Sequence, residues 1–126
     1  MRIGLNMVRG HMKSRTELVA ELVRNPRISG QSIEALKAFG WDCESPLVTV
    51  QKSDILAVLR EFAAGKLNAD DIQAWANRIE GRDDVAYEHG PDDPVNEAVF
   101  WLANPFINYQ IDAAICLRIE KLFFDA

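Results

Sequence analysis

The chain has 126 residues, of which 48% are hydrophobic and 26% are charged, and its net charge at pH 7 is −5. This length suits one domain with a real core, and this composition is ordinary for a globular protein and excludes disorder of the whole chain. No apolar run approaches the roughly 20 residues of a membrane-spanning helix, and the N-terminus lacks the apolar stretch of a signal peptide. We therefore expect a cytoplasmic protein that does not bind a membrane.

The first helix is marked by signals at both of its ends. Ser14 and Glu17 have the S-x-x-E spacing of a capping box, which typically begins a helix. Asn25 and Pro26 end it, because the residue before a proline avoids the helical region.

A second helix is predicted over 31–39, with Phe39 facing inward and Gly40 capping its end. Leu47 to Val50 then form a single short extended piece. No second strand candidate accompanies it, and one strand cannot make a sheet, so we predict none.

Four further helices follow from periodic apolar residues and their flanking caps. The third contains the apolar residues Ile55 to Ala63, and the fourth begins at Asn68 and ends at Gly81. The fifth starts at Asp93-Pro94, where an acid precedes a proline at the first helical position. The sixth starts near Asp112. The sequence therefore predicts an all-α fold, a compact bundle of five or six short helices.

The domain prediction is one helical domain over 13–126, after a disordered N-terminus over 1–12. Within this domain, residues 13–40 are expected to form an N-terminal helical extension and residues 41–126 the core.

Charge is unevenly distributed along the chain. Residues 1–60 contain nine basic and six acidic side chains, whereas residues 61–97 contain three basic and ten acidic ones. Nucleic acid is disfavoured as a partner, because binding phosphates requires lysine and arginine. A basic protein remains a suitable partner for such a negative field.

The acidic segment between the fourth and fifth helices is the candidate binding surface. Carboxylates steer the association of a cationic protein, and an aromatic side chain supplies an anchor. The competing interpretation is a solvated loop in which Arg82 pairs with a neighbouring acid at little gain in stability. The predicted partner-binding residues are Glu80, Asp83, Asp84, Tyr87, Glu88, Asp92, Asp93 and Glu97.

No catalytic, cofactor or metal motif is present. The only histidines are His11 and His89, the two cysteines are isolated, and the D-x-D-x-D-G spacing of a calcium loop is absent. We therefore predict no catalytic residue, no cofactor and no metal site, and an enzyme is disfavoured.

Two patterns in the second half of the chain resemble those of a known group of proteins. W-A-N-x-x-E-x-R-x-D-x-x-Y spans 75–87, and L-A-N-P-x-I spans 102–107. Together with D-I-L-x-V-L at 54–59, they resemble a group of small, poorly characterised bacterial proteins, and the likeness covers Trp41 to the C-terminus. The size and acidity also resemble those of immunity proteins, which neutralise secreted bacterial toxins.

The resemblance implies a structural motif that locks the turn between the fourth and fifth helices. Polar side chains of this motif are expected to bond free backbone groups at the helix ends, while Tyr87 packs over the turn. The motif residues are Trp75, Asn77, Arg82, Trp101 and Asn104.

The leading functional prediction is a protein-binding domain of the bacterial cytosol, an immunity-type inhibitor that covers a basic toxin with its acids. The alternative is a helical domain with a structural or regulatory role that self-associates through its aromatic helices, for example as a homodimer.

Overall fold

A computed structural model describes residues 13–40 and 42–124, so the prediction for residues 1–12 lies outside the described part. The described residues contain six α-helices, which confirms the all-α bundle. These are α1 (Arg15–Arg24), α2 (Gly30–Lys37), α3 (Lys52–Ala63), α4 (Ala69–Ile79), α5 (Pro94–Ala103) and α6 (Ala113–Phe124).

The predicted starts of α1 and α4 are confirmed, and a capping box begins each of these helices. The hydroxyl of Ser14 accepts a hydrogen bond from the Glu17 backbone N–H at 3.1 Å, and the Glu17 carboxylate accepts from the Ser14 N–H at 2.8 Å. Asn68 and Asp71 make the same exchange at the start of α4, at 2.8 and 2.9 Å. Each box satisfies backbone donors that the helix itself leaves unpaired.

The prediction that no sheet forms is wrong. Strand β1 (Val48–Val50) pairs in parallel with strand β2 (Val85–Tyr87), and the first residues of the two strands lie opposite each other. The crossover that parallel strands require is supplied by α3 and α4. The second strand escaped prediction because it has only three residues and lies inside the acidic segment. A short 3₁₀ turn, Gly90–Asp92, follows it.

The core is one continuous cluster of buried apolar side chains to which every α-helix contributes. Trp75 on α4 has no exposed surface, and its indole N–H donates to the Val23 carbonyl at the end of α1 over 3.0 Å. Four residues of α1 are buried in the same cluster: Leu18, Val19, Leu22 and Val23. Residues 13–40 therefore share the core of the later helices.

The prediction that Phe39 faces inward is also wrong. The helix α2 ends at Lys37, and Phe39 is 45% exposed. Gly40 then has a φ of 75°, a backbone conformation that glycine adopts without strain and that turns the chain away from the helix.

We expect Trp75→Phe to lower the free energy of unfolding by about 2 kcal/mol, because it leaves a small cavity and an unpaired buried carbonyl at Val23. Urea denaturation followed by circular dichroism measures the change. The matched control is Trp101→Phe, since Trp101 is only half-buried. This substitution should lower the free energy of unfolding by less than Trp75→Phe does. Equal losses would contradict the importance assigned to the Trp75 hydrogen bond.

Candidate functional site

The eight predicted partner-binding residues lie along one continuous segment, from the end of α4 to the first turn of α5. The structure divides them by exposure. Glu80 and Tyr87 are half-buried, and Asp84 and Asp93 are buried, with 0% and 2% of their surface exposed. The exposed members, which we name the acidic rim, are Asp83, Glu88, Asp92 and Glu97.

The assignment of Asp84 and Asp93 to a binding surface is therefore wrong, because neither carboxylate reaches solvent. The sequence alone does not indicate which acid of such a segment is buried. A buried carboxylate requires partners that compensate its charge. The partners of Asp84 come partly from a distant segment. Those of Asp93 are local, in keeping with the predicted helix start.

Two arginines hold the buried Asp84 carboxylate, and we name Arg15, Arg82 and Asp84 the Asp84 clasp. Arg82 donates two hydrogen bonds, from Nε to Oδ1 at 2.7 Å and from Nη2 to Oδ2 at 2.8 Å. Arg15, at the start of α1, donates from Nε to Oδ2 at 3.0 Å. The expected local pairing of Arg82 with an acid is thus present, but it is buried rather than solvated.

The backbone of Asp84 adds a second connection. Its carbonyl accepts hydrogen bonds from the N–H groups of Leu47 at 2.9 Å and Val48 at 3.3 Å, where β1 begins. One residue therefore connects α1, the turn after α4 and the sheet.

Arg15 extends the clasp to the end of α2. Its two Nη atoms each donate at 3.4 Å, to the carbonyls of Phe39 and Gly40, and its guanidinium carbon lies 5.8 Å from the centroid of the Phe39 ring. This contact accounts for the exposed position of Phe39, which covers the arginine rather than the core.

The clasp determines the ionisation of Asp84. Burial raises the pKa of a carboxyl group, but here the hydrogen bonds and positive charges of Arg82 and then Arg15 outweigh it, so the pKa of Asp84 lies below its ordinary value. The stabilisation is therefore fully present above the ordinary aspartate pKa and is lost as the pH falls through the lowered one.

The other buried acid, Asp93, organises the opposite end of the segment. Its carboxylate caps α5 by accepting from the Val95 N–H at 2.7 Å, and it also accepts from the His89 N–H at 2.8 Å. Tyr87 lies nearby. Burial, together with the negative charges of Glu80 and Asp93, raises the pKa of Tyr87 to about 12, so its hydroxyl stays neutral at physiological pH.

The predicted structural motif is only partly assembled around the turn between α4 and α5. Asn104 ends α5 and donates from Nδ2 to the Glu80 carboxylate at 2.9 Å and to the Phe100 carbonyl at 3.0 Å, which connects the two helix ends. Trp101 packs edge-on against Tyr109 instead, with ring centroids 5.1 Å apart.

Asn77 does not take the bonding role expected of it. Its side chain is exposed and makes no hydrogen bond with any residue in the described part of the chain. The predicted inward packing of Trp75 and Tyr87 is present, since the first is buried and the second packs against the core cluster.

Sequence reasoning missed Arg15, although its position carried a signal. A cation at the first position of a helix is unfavourable, because the helix dipole is positive there. Such a residue is expected to have a partner elsewhere in the fold, and Asp84 provides it.

The described residues form neither a metal-binding cluster nor a membrane-spanning helix. No three histidine, cysteine, aspartate or glutamate side chains between residues 13 and 40 or 42 and 124 are placed to hold a metal ion. Over the same residues, no helix has the length and apolar character needed to cross a membrane.

We expect Asp84→Asn to lower the free energy of unfolding at neutral pH by about 3 kcal/mol, because two arginines lose their buried counter-ion. The matched control is Asp83→Asn, because Asp83 is an exposed neighbour of Asp84. This substitution should change the free energy of unfolding by no more than about 0.5 kcal/mol. Denaturant unfolding across a pH series measures the free energy of unfolding of both variants.

The difference in free energy of unfolding between wild type and Asp84→Asn should narrow as the pH falls below the ordinary aspartate pKa of 3.8. A difference in free energy of unfolding that does not depend on pH would contradict stabilisation by the ionised Asp84 carboxylate.

Comparisons with known proteins do not assign the chain to a family. No protein-family model, no curated protein and no solved structure matches it. The resemblance to a bacterial family and to immunity proteins therefore stays a prediction.

Proposed function

We propose that the chain is a small protein-binding domain of the bacterial cytosol, an immunity-type inhibitor that neutralises a basic toxin through the acidic rim. The observation that supports this proposal is uncompensated charge. All four rim carboxylates are exposed, and none forms an ion pair with another residue of the described part of the chain. Their field is therefore available to a cationic partner.

The buried acids of the same segment support the proposal in a second way. The Asp84 clasp fixes the backbone next to Asp83, and Asp93 fixes the turn that carries Glu88 and Asp92. A segment that is already ordered loses less conformational entropy when it binds, so more of the contact energy appears as affinity.

We expect Glu88→Lys to reduce capture of a basic partner from native cell lysate by about tenfold, because it reverses a steering charge in the rim. Glu120→Lys is the matched control, since it makes the same charge change at an exposed position on α6, outside the rim. Capture should also fall as salt is raised from about 50 to about 500 mM. Equal effects of the two substitutions, or capture that does not respond to salt, would contradict a role for the rim.

The inhibitor role itself is tested by reconstitution. The captured partner, expressed alone, should stop the growth of a bacterial host, and coexpression with the wild-type chain should restore growth. Coexpression with Glu88→Lys should restore it less well. A partner that is harmless when expressed alone would exclude the inhibitor role while leaving protein binding intact.

A self-associating domain remains the second candidate because of exposed apolar side chains near the end of the chain. Phe106 is 95% exposed, Ile107 73%, Leu117 67% and Phe124 64%. Where such side chains form a contiguous patch, the patch is typical of a contact site between proteins.

If this candidate is correct, sedimentation equilibrium should show a dimer at about 100 μM that persists at high salt, since apolar contacts are not screened. Leu117→Asp should then give a monomer, while Glu88→Lys should leave the dimer unchanged. A wild-type monomer under these conditions excludes self-association and leaves the rim proposal standing.

A further inference from the structure

A cavity of about 470 Å³ lies between α1, α2 and the end of α4, and none of the four acidic rim residues lines it. This volume is within the range of about 300 to 1,000 Å³ that small-molecule sites occupy. The apolar part of its wall is Leu22, Ile33 and Leu36, and its ionisable lining residues are Lys37, Arg78 and Arg82.

Among the described residues, every ionisable side chain that lines the cavity is basic, although the chain as a whole has a charge of −5. The acids that pair with this lining do not cancel its charge. Lys37 contacts Glu34 at 2.9 Å, but both side chains are about two-thirds exposed and water screens the pair. Arg82 shares the single carboxylate of Asp84 with Arg15, so the clasp contains one positive charge more than negative charge.

Arg78 is the least compensated of these cations. Its Nη2 donates to the Pro26 carbonyl at 3.1 Å, and its buried Nε has no hydrogen-bond partner among the described residues. No carboxylate of that part of the chain lies within ion-pair distance of it. Burial lowers the pKa of the Arg78 guanidinium, but arginine remains charged at neutral pH. A half-buried positive charge therefore faces apolar walls, and no acid of residues 13–40 or 42–124 serves as its counter-ion.

We propose that this cavity binds a small amphipathic anion, a monocarboxylate with a short apolar tail. The carboxylate pairs with Arg78 and Lys37, since guanidinium and carboxylate form strong charge-assisted hydrogen bonds. The tail covers Leu22, Ile33 and Leu36 and removes their apolar surface from water. This site is separate from the acidic rim, so its test is independent of the proposed function.

Octanoate is the probe, titrated into the isotopically labelled full chain and followed by amide chemical shifts. We expect saturable shifts concentrated in α2 and the second half of α4. Octan-1-ol has the same tail and no charge, and we expect it to bind at least about tenfold more weakly, the loss of one charge-assisted contact. Equal binding of the alcohol, or no saturation with octanoate, would overturn the proposal.

Two substitutions locate the site. Arg78→Met keeps an unbranched side chain in place of the aliphatic part of arginine and removes the charge, and it should raise the dissociation constant for octanoate by about tenfold. Lys37→Glu reverses an exposed charge and should weaken octanoate binding without disturbing the fold. If Arg78→Met unfolds, Lys37→Glu therefore tests whether octanoate binds in this cavity. Arg60→Glu is the matched control, because it makes the same charge change at an exposed position outside the cavity lining. Equal weakening by Lys37→Glu and Arg60→Glu would attribute binding to net charge and overturn the assignment.

Discussion

The buried carboxylate of Asp84 is the constraint on which the rest of the structure depends. A charge without solvent is unfavourable unless it is paired, and here the paired groups come from α1 and from the turn after α4. Through Arg15 the same carboxylate is connected to the end of α2, and through its own backbone carbonyl to the start of β1. Segments distant in sequence therefore meet at one polar point beside the apolar core, and the exposed acidic rim extends from it.

The helices could be predicted from the sequence because their signals are local. Ser14 with Glu17, Asn68 with Asp71, and Asp93 with Pro94 each specify a helix start within four residues, and the structure contains all three. Nothing local specifies a contact across the chain. The bond from Trp75 to the Val23 carbonyl spans 52 residues and that from Arg15 to Asp84 spans 69, and neither was predicted. The pairing of β1 with β2 was missed for the same reason.

The candidate site was predicted only in outline. Composition located the acidic segment, because charged residues can be counted in the sequence. The burial of each acid depends on which distant residues pack against it, and the sequence does not show this. Asp83 and Asp84 illustrate this limit, since they are adjacent acids with opposite environments, one exposed and one without solvent contact. The cavity near Arg78 could not be predicted from the sequence either, because its wall combines residues from three helices. Within α4 alone, Arg78 looks like an ordinary cation in the last turn, where the helix dipole favours it.

The parallel pairing of two three-residue strands has a consequence for the order of folding. Val48 lies opposite Val85, so the intervening chain forms a long loop whose closure costs entropy before any ladder bond can repay it. A ladder this short is too weak to close that loop alone. We expect α3 and α4 to dock first and to bring the strand ends together, so that the sheet forms late in folding. Arg82 is only 2 residues from Asp84 and can pair with it at any stage, whereas Arg15 is 69 residues away and reaches the Asp84 carboxylate only when α1 packs against the later helices.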